Sequence, residues 1–88
     1  MKNANTLDKS WVIYLLECID GSLYTGITND LEKRLASHNA GLGAKYTRGR
    51  RPVTLLEFKT VESQSDALRL EYQIKKLPRL KKRAFFKI

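Results

Sequence analysis

The sequence has few of the residues that disulfide frameworks and clustered metal sites require. Cys18 is the only cysteine and His38 the only histidine among 88 residues, which excludes an intrachain disulfide and a zinc site built from several such ligands. No hydrophobic run approaches the roughly 20 residues that a membrane span needs. Residues 1–6 lack the apolar stretch of a secretory signal. We therefore expect a cytoplasmic protein without a membrane segment.

Glycine-rich loops that bind phosphate are also absent. The chain has neither the Gly-x-x-x-x-Gly-Lys pattern of nucleotide hydrolases nor the Gly-x-Gly-x-x-Gly turn of dinucleotide-binding domains. A Ser-His-Asp triad would have to use His38, and nothing places a serine in the strained turn that such a nucleophile occupies. Most enzyme classes are therefore unsupported.

Positive charge is abundant and unevenly distributed. The net charge is +8. Residues 1–44 hold four basic and five acidic residues, a net charge of −1, whereas residues 45–88 hold thirteen basic and four acidic residues, a net charge of +9. A one-sided positive field is typical of proteins with phosphate-rich partners. The charge therefore suggests a nucleic-acid partner. Because such charge also keeps a small domain soluble, a solubilising surface is the alternative interpretation.

Hydrophobic patterning predicts one small domain after a polar arm. Residues 1–10 are polar and lack periodicity, which predicts a flexible arm, and residues 11–88 are expected to form a single domain. Two short runs of bulky residues flank Asp20-Gly21 and predict a β-hairpin. A third strand is expected over residues 53–59, with side chains alternating between its two faces.

Capping residues predict where the first helix begins and ends. Asn29, with Glu32 three residues later, matches a capping box. Gly41 and Gly43 then end this helix, because glycine adopts the left-handed cap conformation at little steric cost. Residues 44–52 are expected to form a basic loop.

Two further helices complete the predicted domain. Ser63 or Ser65 can cap a helix that runs to about Leu77, and Pro78 is well placed in the first turn of the next one. In the first of these helices, apolar residues recur at three- and four-residue steps and predict a stripe that faces the core: Ala67, Leu70, Ile74 and Leu77. The predicted order is β-β-α-β-α-α. This order implies an α+β fold, a small three-stranded antiparallel sheet flanked by helices.

The length of the hairpin loop decides whether Tyr14 and Tyr24 share a face of the sheet. A two-residue turn at Asp20-Gly21 would place the two side chains on opposite faces, since side chains alternate along a strand. A three-residue loop with Gly21 in the left-handed region shifts the parity by one residue. We predict the shifted form, since only that form lets both tyrosines contact one phosphate.

A few polar side chains are suited to phosphodiester cleavage. That reaction needs a base for the attacking water, a divalent cation and a positive group on the phosphate. Tyr14 or Tyr24 can supply the base, Glu71 can bind the cation and Arg34 can contact the phosphate.

Each of these residues also has a purely structural interpretation. A tyrosine in a strand is usually a sheet residue. Arg34 and His38 lie one turn apart and can form a solvated helix face, and Glu71 can pair with Lys75 at i+4. Composition and spacing alone leave a nucleic-acid-binding protein as the interpretation.

The order of the motifs is more specific than any one of them. They are Val12-Ile13-Tyr14, Tyr24-Thr25-Gly26, a helix with Arg34 and His38, the basic stretch 43–52 and a helix with Glu71. In this order, over about residues 11–77, the chain resembles the GIY-YIG nuclease superfamily, and most closely its small stand-alone bacterial members.

The resemblance implies a role for each residue. Tyr14 would be the general base and Tyr24 would position the water or the phosphate. Arg34 would stabilise the transition state with the assistance of His38. Glu71 would bind a single Mg²⁺ or Mn²⁺ ion. Because the phenol pKa is ordinarily near 10, Tyr14 would need the metal and Arg34 nearby to act as a base.

The chain departs from the family pattern at three places. Val12 stands where the first motif usually has glycine, a change that strand packing tolerates. Ile27 and Thr28 follow the second motif, where some members have a lysine that assists the water. The polar residue that some members have downstream of the glutamate has no match here, although the main constellation is complete.

Basic residues outside this set would hold the nucleic-acid backbone without reading its sequence. They are Lys45, Arg48, Arg50, Arg51, Lys75, Lys76, Lys81, Lys82 and Arg83. Tyr46 either stacks on a base or packs against the second helix. The leading interpretation is a metal-dependent endonuclease that acts on DNA rather than RNA and selects structured or single-stranded substrates.

Two other functions remain open from the sequence. One is a nucleic-acid-binding module that keeps the scaffold without catalysis. The other is a protein-interaction domain that uses Leu80, Phe85 and Phe86 near the C-terminus.

Overall fold

A three-stranded antiparallel sheet forms the centre of the computed structural model, which describes residues 10–88. Its strands are β1 (Trp11–Glu17), β2 (Leu23–Thr28) and β3 (Thr54–Val61). The order across the sheet is β2-β1-β3, so β1 is the central strand and pairs with both neighbours. The arm predicted at the N-terminus lies, except for Ser10, outside the described residues.

Four helical segments accompany the sheet. They are α1 (Leu31–Asn39), α2 (Lys45–Arg48), α3 (Gln64–Lys75) and α4 (Arg79–Phe85). The predicted α+β class and the order of strands and main helices are confirmed. The short helix α2 is an addition, since it lies in the segment 44–52 that was expected to be a loop.

The sheet is covered on both faces because β1 alternates its side chains between two hydrophobic clusters. Val12, Tyr14 and Leu16 belong to the cluster against which the α1 residues Leu31 and Leu35 pack. Burial on both faces therefore fixes the position of β1.

The second cluster lies on the opposite face. Ile13 and Leu15 pack there with Ile74 of α3 and with Phe86, which follows α4. Ala67 is fully buried as well. The apolar stripe predicted for α3 therefore faces the sheet, as expected.

The hairpin has the predicted shifted parity. Tyr14 pairs with Gly26, and Leu16 pairs with Tyr24. The Cys18 amide donates to the Ser22 carbonyl at 2.8 Å, and Gly21 has a φ of 84°. The three-residue loop therefore places Tyr14 and Tyr24 on the same face, because directly paired residues project to the same side.

The N-terminal cap of α1 differs by one residue from the prediction. Asp30, and not Asn29, is the N-cap, and its carboxylate accepts from the Lys33 amide at 3.3 Å. The capping box with Glu32 is therefore not formed, since Lys33 occupies the third helical position. Both Asn and Asp are good caps, so the local sequence alone does not distinguish them.

The C-terminal end of α1 agrees with the prediction. The Gly41 amide donates to the His38 carbonyl at 3.1 Å, the Leu42 amide donates to the Ser37 carbonyl at 2.9 Å, and the φ of Gly41 is 81°. This double hydrogen bond is a Schellman motif. It turns the chain sharply back toward α1.

Strand β3 does not alternate regularly, contrary to the sequence prediction. Leu15 pairs with Glu57 but Leu16 pairs with Leu55, which leaves Leu56 as the extra residue of a bulge. Leu55 and Leu56 consequently pack into opposite clusters, and Phe58 returns to the face of Leu55. A bulge of this kind has no signal in the hydrophobic pattern. Within residues 10–88, no helix is long and apolar enough to cross a membrane.

Substituting Gly21 by alanine should lower the free energy of unfolding by about 1 kcal/mol, because an L-residue is strained at positive φ. Gly49 is a matched control, since its φ is −95° and a Cβ at either glycine meets no heavy atom within 4 Å. Urea unfolding of both alanine variants measures the difference. Equal stabilities would contradict the left-handed turn.

Candidate active site

The hydroxyl of Tyr14 is buried between β1 and the two polar side chains of α1. Tyr14 is only 1% exposed, and its hydroxyl lies 2.8 Å from His38 Nε2. Arg34 Nε donates to the same oxygen at 3.4 Å. The structure thus brings together three of the residues singled out in the sequence.

Gly26 is what allows the Tyr14 ring to reach α1. The two residues are direct partners across the hairpin, and the ring lies over the glycine. A Cβ at position 26 would stand 2.5 Å from Tyr14 Cζ and closer still to the hydroxyl oxygen. Any larger residue would therefore displace the tyrosine.

A single chain of hydrogen bonds fixes the tautomer of His38. Its Nδ1 lies 2.8 Å from Thr47 Oγ1, and the Thr47 hydroxyl donates to the Ala44 carbonyl at 3.0 Å. A hydroxyl has one proton to donate, so Thr47 must accept from His38 Nδ1–H. The Nε2 atom of neutral His38 then accepts the Tyr14 proton.

The burial of this chain keeps both titratable groups uncharged near neutral pH. Burial is the larger influence on Tyr14 and raises its pKa to about 12, although the hydrogen bond from Arg34 opposes this. Burial, together with the nearby charge of Arg34, lowers the pKa of His38 to about 4. Arg34 therefore does not bring the Tyr14 pKa toward neutral pH by itself. The solvated helix face considered for His38 is wrong, because this side chain is fully buried.

Tyr24 lies at the mouth of the same site. Its ring centroid is 5.3 Å from that of His38 and 6.5 Å from that of Tyr14. The Tyr46 ring stacks on Tyr24 with centroids 5.9 Å apart, and the Arg50 guanidinium lies 4.1 Å from the Tyr46 centroid. Tyr46 is thus held between Tyr24 and Arg50.

Glu71 reaches this edge of the sheet from α3. Its carboxylate is 3.3 Å from Lys75 Nζ, and that ammonium group lies 5.4 Å from the Tyr24 ring centroid. The charge of Glu71 also contributes to the raised pKa of Tyr14. The i,i+4 ion pair considered from the sequence is present, and it lies beside the tyrosines.

The basic residues are distributed over several surfaces. Arg48 and Arg51 line an open pocket together with Asn39, and Lys45 is exposed on the same helical turn as Arg48. Lys75 and Lys76 are exposed at the end of α3. The cluster in α4 is Lys81, Lys82 and Arg83, on the helix that precedes the buried Phe86. That helix lies toward the face opposite the Tyr14 hydroxyl.

Sequence reasoning assigned no role to Thr47. Its side chain is fully buried and holds His38 in one orientation. Gly43 also contacts this histidine, since a Cβ there would lie 2.5 Å from Nδ1. Both residues stand in the basic stretch that was compared with the family, but only the folded loop shows which side chain turns inward.

Comparison with known proteins identifies similar chains. A family model described as the GIY-YIG catalytic domain matches residues 10–84. A UPF0213 protein of Halobacterium salinarum is 55% identical over 74 residues, which cover 84% of this chain and 96% of that protein. A UPF0213 protein of Bacillus velezensis is 51% identical over 76 residues, which cover 86% of this chain and 77% of that protein.

Two solution NMR structures are also similar. One is the UPF0213 protein of Bacillus halodurans, with a TM-score of 0.55 and 46% identity, covering 86% of this chain and 81% of that one. The other is a protein of E. faecalis, with a TM-score of 0.59 and 43% identity, covering 86% of this chain and 82% of that one. The names of these proteins state no activity.

The buried state of His38 predicts a specific pH dependence of stability. Between pH 6.5 and 4 the unfolded chain binds a proton at this residue and the folded protein does not. The free energy of unfolding should therefore fall as the pH is lowered through this range, by up to about 3 kcal/mol. Urea unfolding at several pH values measures the free energy of unfolding, and ¹⁵N NMR of the single histidine measures the pKa of His38 in the folded protein.

A His38→Gln variant is the control for that measurement. It lacks the titrating ring, so its stability should change less between pH 6.5 and 4 than that of the wild type. Parallel curves for the two proteins, or a histidine signal that titrates near 6.5, would contradict the buried neutral imidazole.

Proposed function

We propose, since the chain belongs to the GIY-YIG family, that it is a metal-dependent endonuclease that hydrolyses phosphodiester bonds of DNA. The observation that carries this proposal is the position of the Tyr14 hydroxyl, which contacts both Arg34 and His38 and whose pKa the charge of Glu71 helps to raise. A cytoplasmic site of action is part of the proposal.

The hydrogen-bond chain supports Tyr14 as a base that needs positive charge nearby. With a pKa of about 12, only about one Tyr14 in 100,000 is ionised at pH 7. Arg34 opposes this raised pKa, and a cation held at Glu71 would lower it further, so that Tyr14, once its own proton has left to solvent, takes the proton of the attacking water. His38 Nε2 holds the hydroxyl in one orientation. Thr47 keeps this nitrogen unprotonated and aimed at Tyr14.

The other polar groups act on the phosphate. The Arg34 guanidinium is half-buried beside the Tyr14 oxygen. It therefore stabilises negative charge that develops on the phosphate next to the attacking water. Tyr24 borders the same space and positions the water or the phosphate.

The Glu71 carboxylate is suited to bind one Mg²⁺ or Mn²⁺ ion. Magnesium commonly uses one or two carboxylates and fills its other positions with water and substrate phosphate oxygens. The Lys75 ammonium group, which pairs with Glu71 beside Tyr24, supports this proposal, since it is a positive charge already placed on that carboxylate. Within residues 10–88 no group of three or more metal-binding side chains converges, so Glu71 would share the ion with the substrate. When bound, the ion neutralises charge on the reacting phosphate.

The basic surfaces provide the contacts to the backbone of the substrate. Lys45, Arg48 and Arg51 extend from the α2 side of the site, and Lys75 and Lys76 from the α3 side. Arg50 and Tyr46 contact each other at the edge of Tyr24 and would bind the strand there. The α4 cluster, Lys81, Lys82 and Arg83, adds long-range attraction. A module that binds without cleaving is the alternative outcome of the first test below.

Cleavage of labelled DNA in Mg²⁺ or Mn²⁺ tests the proposed activity. The panel should contain single-stranded, branched and duplex DNA together with a single-stranded RNA. Tyr14→Phe removes the hydroxyl proposed as the base and Glu71→Gln removes the carboxylate charge. Each change should lower kcat at least about 100-fold, the size of a lost acid–base or charge-stabilising group.

Glu62→Gln is the matched control, since Glu62 is an exposed carboxylate that precedes α3. It should cleave like the wild type. Wild-type protein that binds every substrate and cleaves none would identify a non-catalytic module. Equal activity of the wild type and Glu71→Gln would contradict the role of that carboxylate.

The contact between Lys75 and Glu71 predicts a change in metal affinity. A divalent ion at Glu71 has to displace the Lys75 ammonium group or bind against its electrostatic repulsion. The Lys75→Met variant should therefore bind Mn²⁺ about two- to fivefold more tightly. Lys76→Met removes the same charge one residue farther on, where the ammonium lies over Tyr72 instead. Electron paramagnetic resonance of free Mn²⁺ measures the Mn²⁺ affinity of both variants. Identical affinities for the two variants would contradict the assignment.

A further inference from the structure

The four tyrosines of the chain differ in how much of each ring is exposed to solvent and free of other aromatic contacts. Tyr14 is buried and Tyr24 is half-buried under Tyr46. Tyr46 is 40% exposed, but Tyr24 and Arg50 lie against its ring. Tyr72 is 66% exposed. A planar ligand can therefore reach the Tyr72 ring without displacing another aromatic group.

Tyr72 lies on α3 immediately after Glu71, with its side chain about 100° farther around the helix axis. The Lys76 ammonium group is 4.0 Å from its ring centroid, and within residues 10–88 this is the one ring contact of Tyr72. Leu68, one turn earlier, is 50% exposed. An exposed aromatic ring with a cation beside it is thus presented on the helix that carries the proposed metal ligand.

We propose that Tyr72 is a binding site for an unpaired nucleobase of the substrate strand, an inference that rests on the proposed function. Nucleobases stack on aromatic side chains in proteins that bind single strands, and lysines beside such rings hold the phosphates of the same strand. Lys76 supplies that charge here, and Lys75 lies next to it along α3.

Charge favours a nucleic acid over a protein partner at this surface. Residues 45–88 carry thirteen basic and four acidic residues. Two of those four carboxylates are paired, Asp66 with Arg69 and Glu71 with Lys75. The side chains around Tyr72 therefore present net positive charge to a polyanion.

The position of Tyr72 has a consequence for substrate choice. A base can stack on this ring only if it is not stacked within a duplex, so the contact favours single-stranded or frayed DNA. Selectivity then follows from the geometry of one helix, without base-specific hydrogen bonds.

Binding of two labelled oligomers in EDTA tests this site separately from cleavage. One is a thymidine oligonucleotide, and the other is an abasic sugar-phosphate chain of the same length and charge. The wild type should bind the thymidine oligomer more tightly. Tyr72→Ala should weaken binding to it about tenfold, within the range for loss of one stacking contact, and should bind the abasic chain like the wild type.

Two further variants make the result specific. Tyr72→Phe keeps the ring and should retain the preference for thymidine, whereas Leu42→Ala removes another exposed apolar side chain and should change nothing. Equal weakening of Tyr72→Ala on both oligomers, or none on either, would overturn the proposal. If the protein cleaves no substrate but prefers the thymidine oligomer over the abasic chain in a way that depends on Tyr72, the endonuclease proposal would be refuted and the base-binding site would still be supported.

Discussion

The buried hydrogen bond between Tyr14 and His38 is the interaction on which the rest of the site depends. It joins the central strand to α1, and it exists only because the tyrosine ring lies over Gly26. Thr47 completes the chain from the loop beyond α1. A buried polar group left without its partner costs about 1–3 kcal/mol. Strand, hairpin, helix and loop are therefore held in one relative arrangement by the groups for which we propose a role in the reaction.

The same burial sets the chemistry of these groups. It raises the pKa of Tyr14 and lowers that of His38, so burial disfavours the charged form of each group. Arg34 opposes the raised pKa of Tyr14 through its hydrogen bond to the hydroxyl. The site is thus a preorganised hydrogen-bond chain, and we propose that Glu71 and the basic residues at its edge meet the substrate.

Features set by local chemistry could be predicted from the sequence. The hairpin pattern and the apolar stripe predicted the sheet and α3. The left-handed conformation of Gly21 was predicted from the requirement that two tyrosines share a face. The cap of α1 could not be located to the residue, because adjacent Asn29 and Asp30 cap equally well. The extra residue in β3 at Leu56 was missed because bulges follow from the pairing of strands, which no single strand encodes.

The sequence by itself determined the types of element, the excess of positive charge and which polar side chains are available for a site, since these depend on residue identity and local spacing. Only the tertiary structure decided their environments. It buried His38, turned Thr47 toward it, placed Tyr46 beneath Arg50 and left Tyr72 exposed. These outcomes depend on contacts between residues distant in sequence, and burial and hydrogen-bond partners arise only when such residues pack together.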